Sequence, residues 1–144
     1  MSNYEIVLVD ITARELSEDA WYKLGGRGDE IYAKVNGEDI RPLNAPFFWK
    51  FDAPDKSEKI TREIFTGDEG SEASFCLMEQ DKLSAHDALG TIRIKTENGK
   101  VELIETAGAS YKGKDGECCH IVDFYGLPHC KYEVRFCVKC FERI

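Results

Sequence analysis

Glu79-Gln80-Asp81-Lys82-Leu83-Ser84-Ala85-His86-Asp87-Ala88-Leu89-Gly90 separates two apolar runs, Ala73-Ser74-Phe75-Cys76-Leu77-Met78 before it and Thr91-Ile92-Arg93-Ile94 after it. Short apolar runs joined by a polar loop predict neighbouring strands. The loop brings together three carboxylates, Glu79, Asp81 and Asp87. Glu79 and Asp81, two apart at a strand end, point the same way because strand side chains alternate. A loop that returns Asp87 beside them makes an acidic pocket. Like charges at that spacing are stable mainly when a cation neutralises them. Hard oxygen donors without a nearby thiol select calcium or magnesium over zinc.

The same texture of short strands and turns runs through the rest of the chain. Strands are predicted at 4–13, 30–35, 47–51, 59–65, 73–79, 90–95, 100–105, 120–125 and 132–138. In the last of these, Tyr132, Val134, Phe136 and Val138 form one face, and Glu133, Arg135, Cys137 and Lys139 form the other. Asn36-Gly37 and Asn98-Gly99 are hairpin-turn signals. The glycine-rich stretch 108–116 reads as a loop, and 52–74 is the segment least defined by pattern. No long stretch has the 3.6-residue period of an amphipathic helix. The expectation is an all-β, antiparallel sandwich forming a single domain over residues 1–144.

Composition narrows the function classes. The chain is 42% hydrophobic, that of an ordinary globular protein. A formal net charge of −8 argues against binding to nucleic acid, whose phosphates need a basic face. It also opposes adsorption to an anionic membrane unless a bound cation changes the local sign. The N-terminus shows neither a basic leader region nor a long apolar segment, which predicts a cytoplasmic protein with its six cysteines as reduced thiols. The even cysteine count leaves a disulfide framework open if a leader has been lost.

Two motifs resemble one family. Gly28-Asp29-Glu30-Ile31-Tyr32-Ala33-Lys34-Val35 is similar to the Asp-Pro-Tyr-Val-Lys-Val pattern of C2 domains, with Glu30-Ile31 in place of the proline. Glu79-x-Asp81, then residues 82–86, then Asp87-x-Leu89-Gly90 resembles the second C2 pattern, Asp-x-Asp followed by Asp-x-(Leu/Ile)-Gly. C2 domains are β-sandwiches whose loops bind calcium and phospholipid. The resemblance implies an eight-stranded sandwich, in the phospholipase-like permutation because one strand precedes the first motif. It also implies a Ca2+ site made by Asp29, Glu79, Asp81 and Asp87, with Ser84 and the Gln80 carbonyl as minor ligands. Leu24 and Leu83 fall where the family carries apolar loop tips that enter the bilayer. Lys23 takes the place of a further acidic ligand, which predicts weaker binding or fewer ions. The implied function is a binding module, not an enzyme, cytoplasmic and reversibly associated with anionic phospholipid. The alternative is a calcium-independent domain of the same fold that binds a protein partner or self-assembles.

Other constellations point elsewhere less well. Cys118, Cys119, His120, His129, Cys130, Cys137 and Cys140 crowd the C-terminal third and raise the question of zinc. Cys137 and Cys140, three apart on a predicted strand, should face opposite ways, so buried or incidental thiols are expected instead. Arg27-Gly28-Asp29 is taken as a chance tripeptide, and Gly25-Gly26-x-Gly28 leads into a strand where a phosphate loop would open a helix. No nucleophile–base signature accompanies the cysteines or His86, His120 and His129. Lys50, Lys56, Lys59 and Arg62 interleave with Asp52, Asp55, Glu58 and Glu63, as on a solvated mixed face.

Overall fold

A computed structural model describes residues 2–16, 28–80, 86–127 and 130–142. Eleven strands succeed one another among the described residues: β1 (Ser2–Glu15), β2 (Asp29–Val35), β3 (Glu38–Ile40), β4 (Trp49–Phe51), β5 (Ser57–Asp68), β6 (Glu72–Glu79), β7 (Asp87–Glu97), β8 (Lys100–Glu105), β9 (Ala109–Asp115), β10 (Cys119–Phe124) and β11 (Lys131–Glu142). One sheet runs β5-β1-β11-β10-β9, and the other runs β3-β2-β6-β7-β8 with β4 also paired to β2. All the pairings are antiparallel. The expected antiparallel sandwich is therefore present, with the last strand closing against the first.

Strand alternation builds the core. Ile31, Ala33 and Val35 of β2, Ala73, Phe75 and Leu77 of β6, and Tyr132, Val134, Phe136 and Val138 of β11 are all buried. Phe75 meets Phe136 edge to face with ring centroids 4.7 Å apart, and Phe51 meets Tyr132 in the same way at 5.3 Å. These rings pack the two sheets against each other, Phe75 with Phe136 and, nearer the start of β2, Phe51 with Tyr132.

The strand count exceeds the expected eight for local reasons. Asn36-Gly37, both at positive φ (50° and 85°), turns the chain tightly enough for β3 to pair back on β2. The 108–116 stretch, expected as a loop, is β9: pairing with β10 satisfies its backbone and outweighs the poor strand propensity of its glycine. A register shift opposite Gly113 absorbs the irregularity. The poorly patterned 52–74 region holds β5, whose register against β1 slips twice, between Ile6 and Val7 and between Leu8 and Asp10. The strand expected at 59–65 lies inside β5; its exposure alternates from Ser57 to Ile64 and is interrupted once, where Ile64 and Phe65 are both half-buried at the first slip.

The cysteines depart from the all-thiol expectation. Cys118 and Cys137 form a disulfide with Cα atoms 5.2 Å apart, while Cys76, Cys119, Cys130 and Cys140 keep their thiols. No helix among the described residues is long and apolar enough to cross a membrane.

Because Phe136 is fully buried at the ring contact, Phe136→Ala should cost about 3–5 kcal/mol of unfolding free energy. Phe141→Ala, at a residue 44% exposed on the same strand, should stay within about 0.5 kcal/mol. Urea unfolding of the two variants beside the parent chain measures the difference.

Candidate functional site

The predicted ligands Asp29 and Glu79 converge at one end of the sandwich. Asp29 opens β2 and shares the inward face of Ile31, Ala33 and Val35; Glu79 closes β6 on the inward face of Phe75 and Leu77. Ile31 and Glu79 are register partners, which makes Asp29 a diagonal neighbour of Glu79 on that face. Two acidic side chains thus take core positions, with Asp29 at 0% and Glu79 at 3% exposure. The backbone before them is tightly held: a Cβ on Gly28, whose φ is 101°, would lie 2.3 Å from the Phe51 carbonyl oxygen. Only glycine permits that approach, and it brings Asp29 into register with Phe51.

Burying a carboxylate is costly unless hydrogen bonds hold it. The phenol of Tyr132 donates to Asp29 Oδ2 at 2.6 Å across the sandwich, and the Cys130 thiol approaches the same oxygen at 3.9 Å. Burial, and then the neighbouring Asp29 carboxylate, push the Tyr132 phenol far above its ordinary value near 10. Tyr132 is therefore a committed donor at physiological pH. Position 132 was legible as an inward aromatic, but its bond to Asp29 joins residues 103 apart in sequence and is made only by the packed sheets.

Asp87 lies at the same end but farther out. It opens β7 as the register partner of Glu79 but is exposed at the rim. Among the described residues, Asp29, Glu79 and Asp87 are not gathered within 4.8 Å of one another; the three ligating side chains that are so gathered are Cys118, Cys119 and Cys137. Asp81, Ser84 and Leu83, like Lys23 and Leu24, lie outside the described residues. The oxygen donors of Asp29, Glu79 and Asp87 suit calcium by their chemistry, two from within and one from the rim.

The outer side of this end carries a second network. His86, a loop residue beside Asp87 as expected, has its Nδ1 2.6 Å from the Tyr32 hydroxyl, which ties the loop to β2. The Arg41 guanidinium stacks 3.7 Å above the Tyr32 ring and donates to Gln80 Oε1 at 2.7 Å and to the Phe47 carbonyl at 3.1 Å. Arg41 thereby pins the 41–48 segment beside the end of β6. That segment displays Leu43 at 82% exposure and Phe47 at 49%. Position 47 was expected in a strand with residues 48–51; β4 begins at Trp49, and Phe47 adopts a left-handed φ of 64° that turns it out. Prolines 42 and 46 were the available signal for a projecting segment.

Among the described residues, the Cys/His-rich third does not assemble as one site. His120 points inward at 5% exposure, with Nδ1 3.0 Å from the Tyr111 hydroxyl; burial and then Lys114 hold its imidazole below the usual range. His129 lies outside the described residues. In the mixed-charge face, Lys56 pairs with Asp52 at 3.6 Å and Arg62 donates to the Arg41 carbonyl at 2.6 Å.

Among solved structures, the chain is similar to a C2 domain of plant Extended Synaptotagmin 1, at 10% identity and a TM-score of 0.42, covering 99% of this chain and 97% of that one. No family model and no curated protein matches it.

Tyr132→Phe leaves the ring in place and removes the donor, so it should cost about 1.5–3 kcal/mol at neutral pH. A raised phenol pKa contributes stability that is complete below the unfolded value near 10 and is lost as pH rises beyond it. Each pH unit there costs up to about 1.4 kcal/mol per tyrosine. Unfolding curves between neutral pH and pH ~11 should show a shallower alkaline decline in Tyr132→Phe than in the parent; parallel declines would contradict the assignment.

Proposed function

We propose that this chain is a non-enzymatic binding module that takes Ca2+ at its acidic end and docks there on anionic phospholipid. The observation that carries the proposal is the pair of buried carboxylates, Asp29 and Glu79, on one inward face at the strand ends that lead to segments 17–27 and 81–85. An ordinary sandwich fills such core positions with apolar side chains.

The residues divide the work. Asp29, held by Tyr132, and Glu79 supply fixed inner oxygens, while Asp87 at the rim and Asp81 and Ser84 of the adjoining segment complete the donor set. Calcium, when bound, supplies the positive charge that a lipid phosphate requires from a chain of net charge −8. Leu43 and Phe47, pinned beside this end by Arg41, and Leu24 and Leu83 supply apolar surface. Burying a few such side chains in acyl chains yields a few kcal/mol at about 25 cal/mol per Å2, the scale of reversible docking.

A second possibility draws on a specific observation. The 2.6 Å bond from Tyr132 already compensates Asp29, as in a domain whose acidic end is structural and whose partner is a protein bound without calcium. One measurement separates the two. A ligand of the native state raises its stability, by about 2.7 kcal/mol at a hundredfold excess over Kd. Thermal melts in millimolar calcium should lie several degrees above melts in EDTA, and the difference should vanish in Asp81→Asn/Asp87→Asn. Calcium-dependent sedimentation with phosphatidylserine vesicles should then weaken in Leu43→Ser. Melts indifferent to calcium would reject the calcium site and favour the second possibility.

A further inference from the structure

Five residues beyond Tyr132 on β11, Cys137 faces the opposite side of the five-stranded sheet. Cys119 of β10 is its direct register partner, which places both side chains on one face. Cys118 sits in the turn between β9 and β10, and the Val138 N–H donates to its carbonyl at 3.0 Å, fastening that turn to β11. The turn frees Cys118 from strand alternation, so its sulfur comes back to the side of Cys119 and bonds Cys137. All three sulfurs lie within 4.8 Å of one another, with Cys118 and Cys119 half-buried and Cys137 buried.

We infer that Cys118, Cys119 and Cys137 form a redox-gated thiolate site for a thiophilic cation of the zinc class. Tetrahedral Zn–S bonds of about 2.3 Å put ligand sulfurs roughly 3.8 Å apart, within the span of this triad. The set crosses two strands and a turn, so it escapes the objection that Cys137 and Cys140, along one strand, face opposite ways. Three sulfurs on one face leave the fourth coordination position to water. Partial burial on a paired sheet holds the three backbones in place before any ion arrives.

The disulfide is the gate. In the oxidised chain, two of the three sulfurs are bonded to each other and offer no thiolate. A dithiol reductant opens the bond by exchange: two electrons pass to Cys118 and Cys137, which become thiols on taking up two protons, and the reductant is left as a disulfide. The cation then replaces the thiol protons, which go to solvent. A disulfide oxidant reverses the sequence by exchange: it takes two electrons from the Cys118 and Cys137 thiolates, leaves as a dithiol after taking two protons from solvent, and the re-formed Cys118–Cys137 bond releases the ion. This site is independent of the acidic end, which lies on the inner face near the other end of β11.

Cobalt is the probe, because thiolate–Co2+ charge transfer gives an absorption that carboxylate or imidazole ligation does not. The full chain, reduced with a dithiol and desalted without air, should bind one equivalent of Co2+ with this band and lose it on addition of one equivalent of Zn2+. Cys119→Ser keeps the disulfide pair, so its fold can be checked in the oxidised state. After reduction it should bind at least about tenfold more weakly. Cys140→Ser should bind as the parent does, and the oxidised parent should show no band until reduced. A reduced parent without the band would overturn the inference. So would a band unchanged in Cys119→Ser, or one that forms equally in the oxidised chain.

Discussion

The long antiparallel pairing of β1 with β11 is the constraint on which the rest of this molecule depends. It runs from Ser2 opposite Glu142 to Glu15 opposite Lys131, and it is the seam that holds β5-β1 to β11-β10-β9 as one sheet. Without it, the inner face of that sheet has no continuous surface to cover β2, β6 and β7. The pairing joins the two extremes of the chain, so its loop-closure entropy must be met before its hydrogen bonds and apolar contacts are gained. Slow folding in which β1 waits for β11 follows from that topology.

The same seam sets the chemistry on the two faces of β11. Tyr132 faces inward near its start and reaches Asp29; Cys137 faces outward farther along and meets Cys118 and Cys119. One strand therefore supplies the polar anchor of the acidic end and a sulfur of the thiol triad on opposite sides of the same sheet. Both arrangements are compact because paired strands, and for Cys118 a turn fastened to β11 through the Val138 N–H, fix the backbone atoms. The cost is also local: each buried polar group requires its own partner, and Asp29 finds one in a phenol from the opposite sheet.

The outer network around Tyr32 has a different character. Arg41, stacked on the ring and bonded to Gln80 and to the Phe47 carbonyl, ties an apolar projecting segment to the acidic end. Its neighbours Asp39 and Gln80 satisfy the guanidinium, leaving Leu43 and Phe47 presented to solvent. Exposed large apolar side chains on an anchored segment carry more meaning than scattered ones, because the ordering that binding would require has been met in advance.

Sequence alone determined the all-β class, the inward face of β11 and the Asn-Gly turns, because period-two alternation and left-handed turn residues are local properties of the chain. It also singled out Glu79 through the acidic loop that follows its strand, and Asp29 through the resemblance of residues 28–35 to a C2 motif. It misplaced β9, where pairing outweighed glycine content, and found β5 over 59–65 but not its full length, Ser57–Asp68. Only the tertiary structure decided that Asp29 is bonded to Tyr132, that Asp87 lies at the rim, and that Cys118 and Cys119 meet Cys137. The physical reason is common to all three. Which side chains meet across a sandwich depends on strand register, turn geometry and sheet-on-sheet packing, and these arise from contacts between residues far apart in the chain.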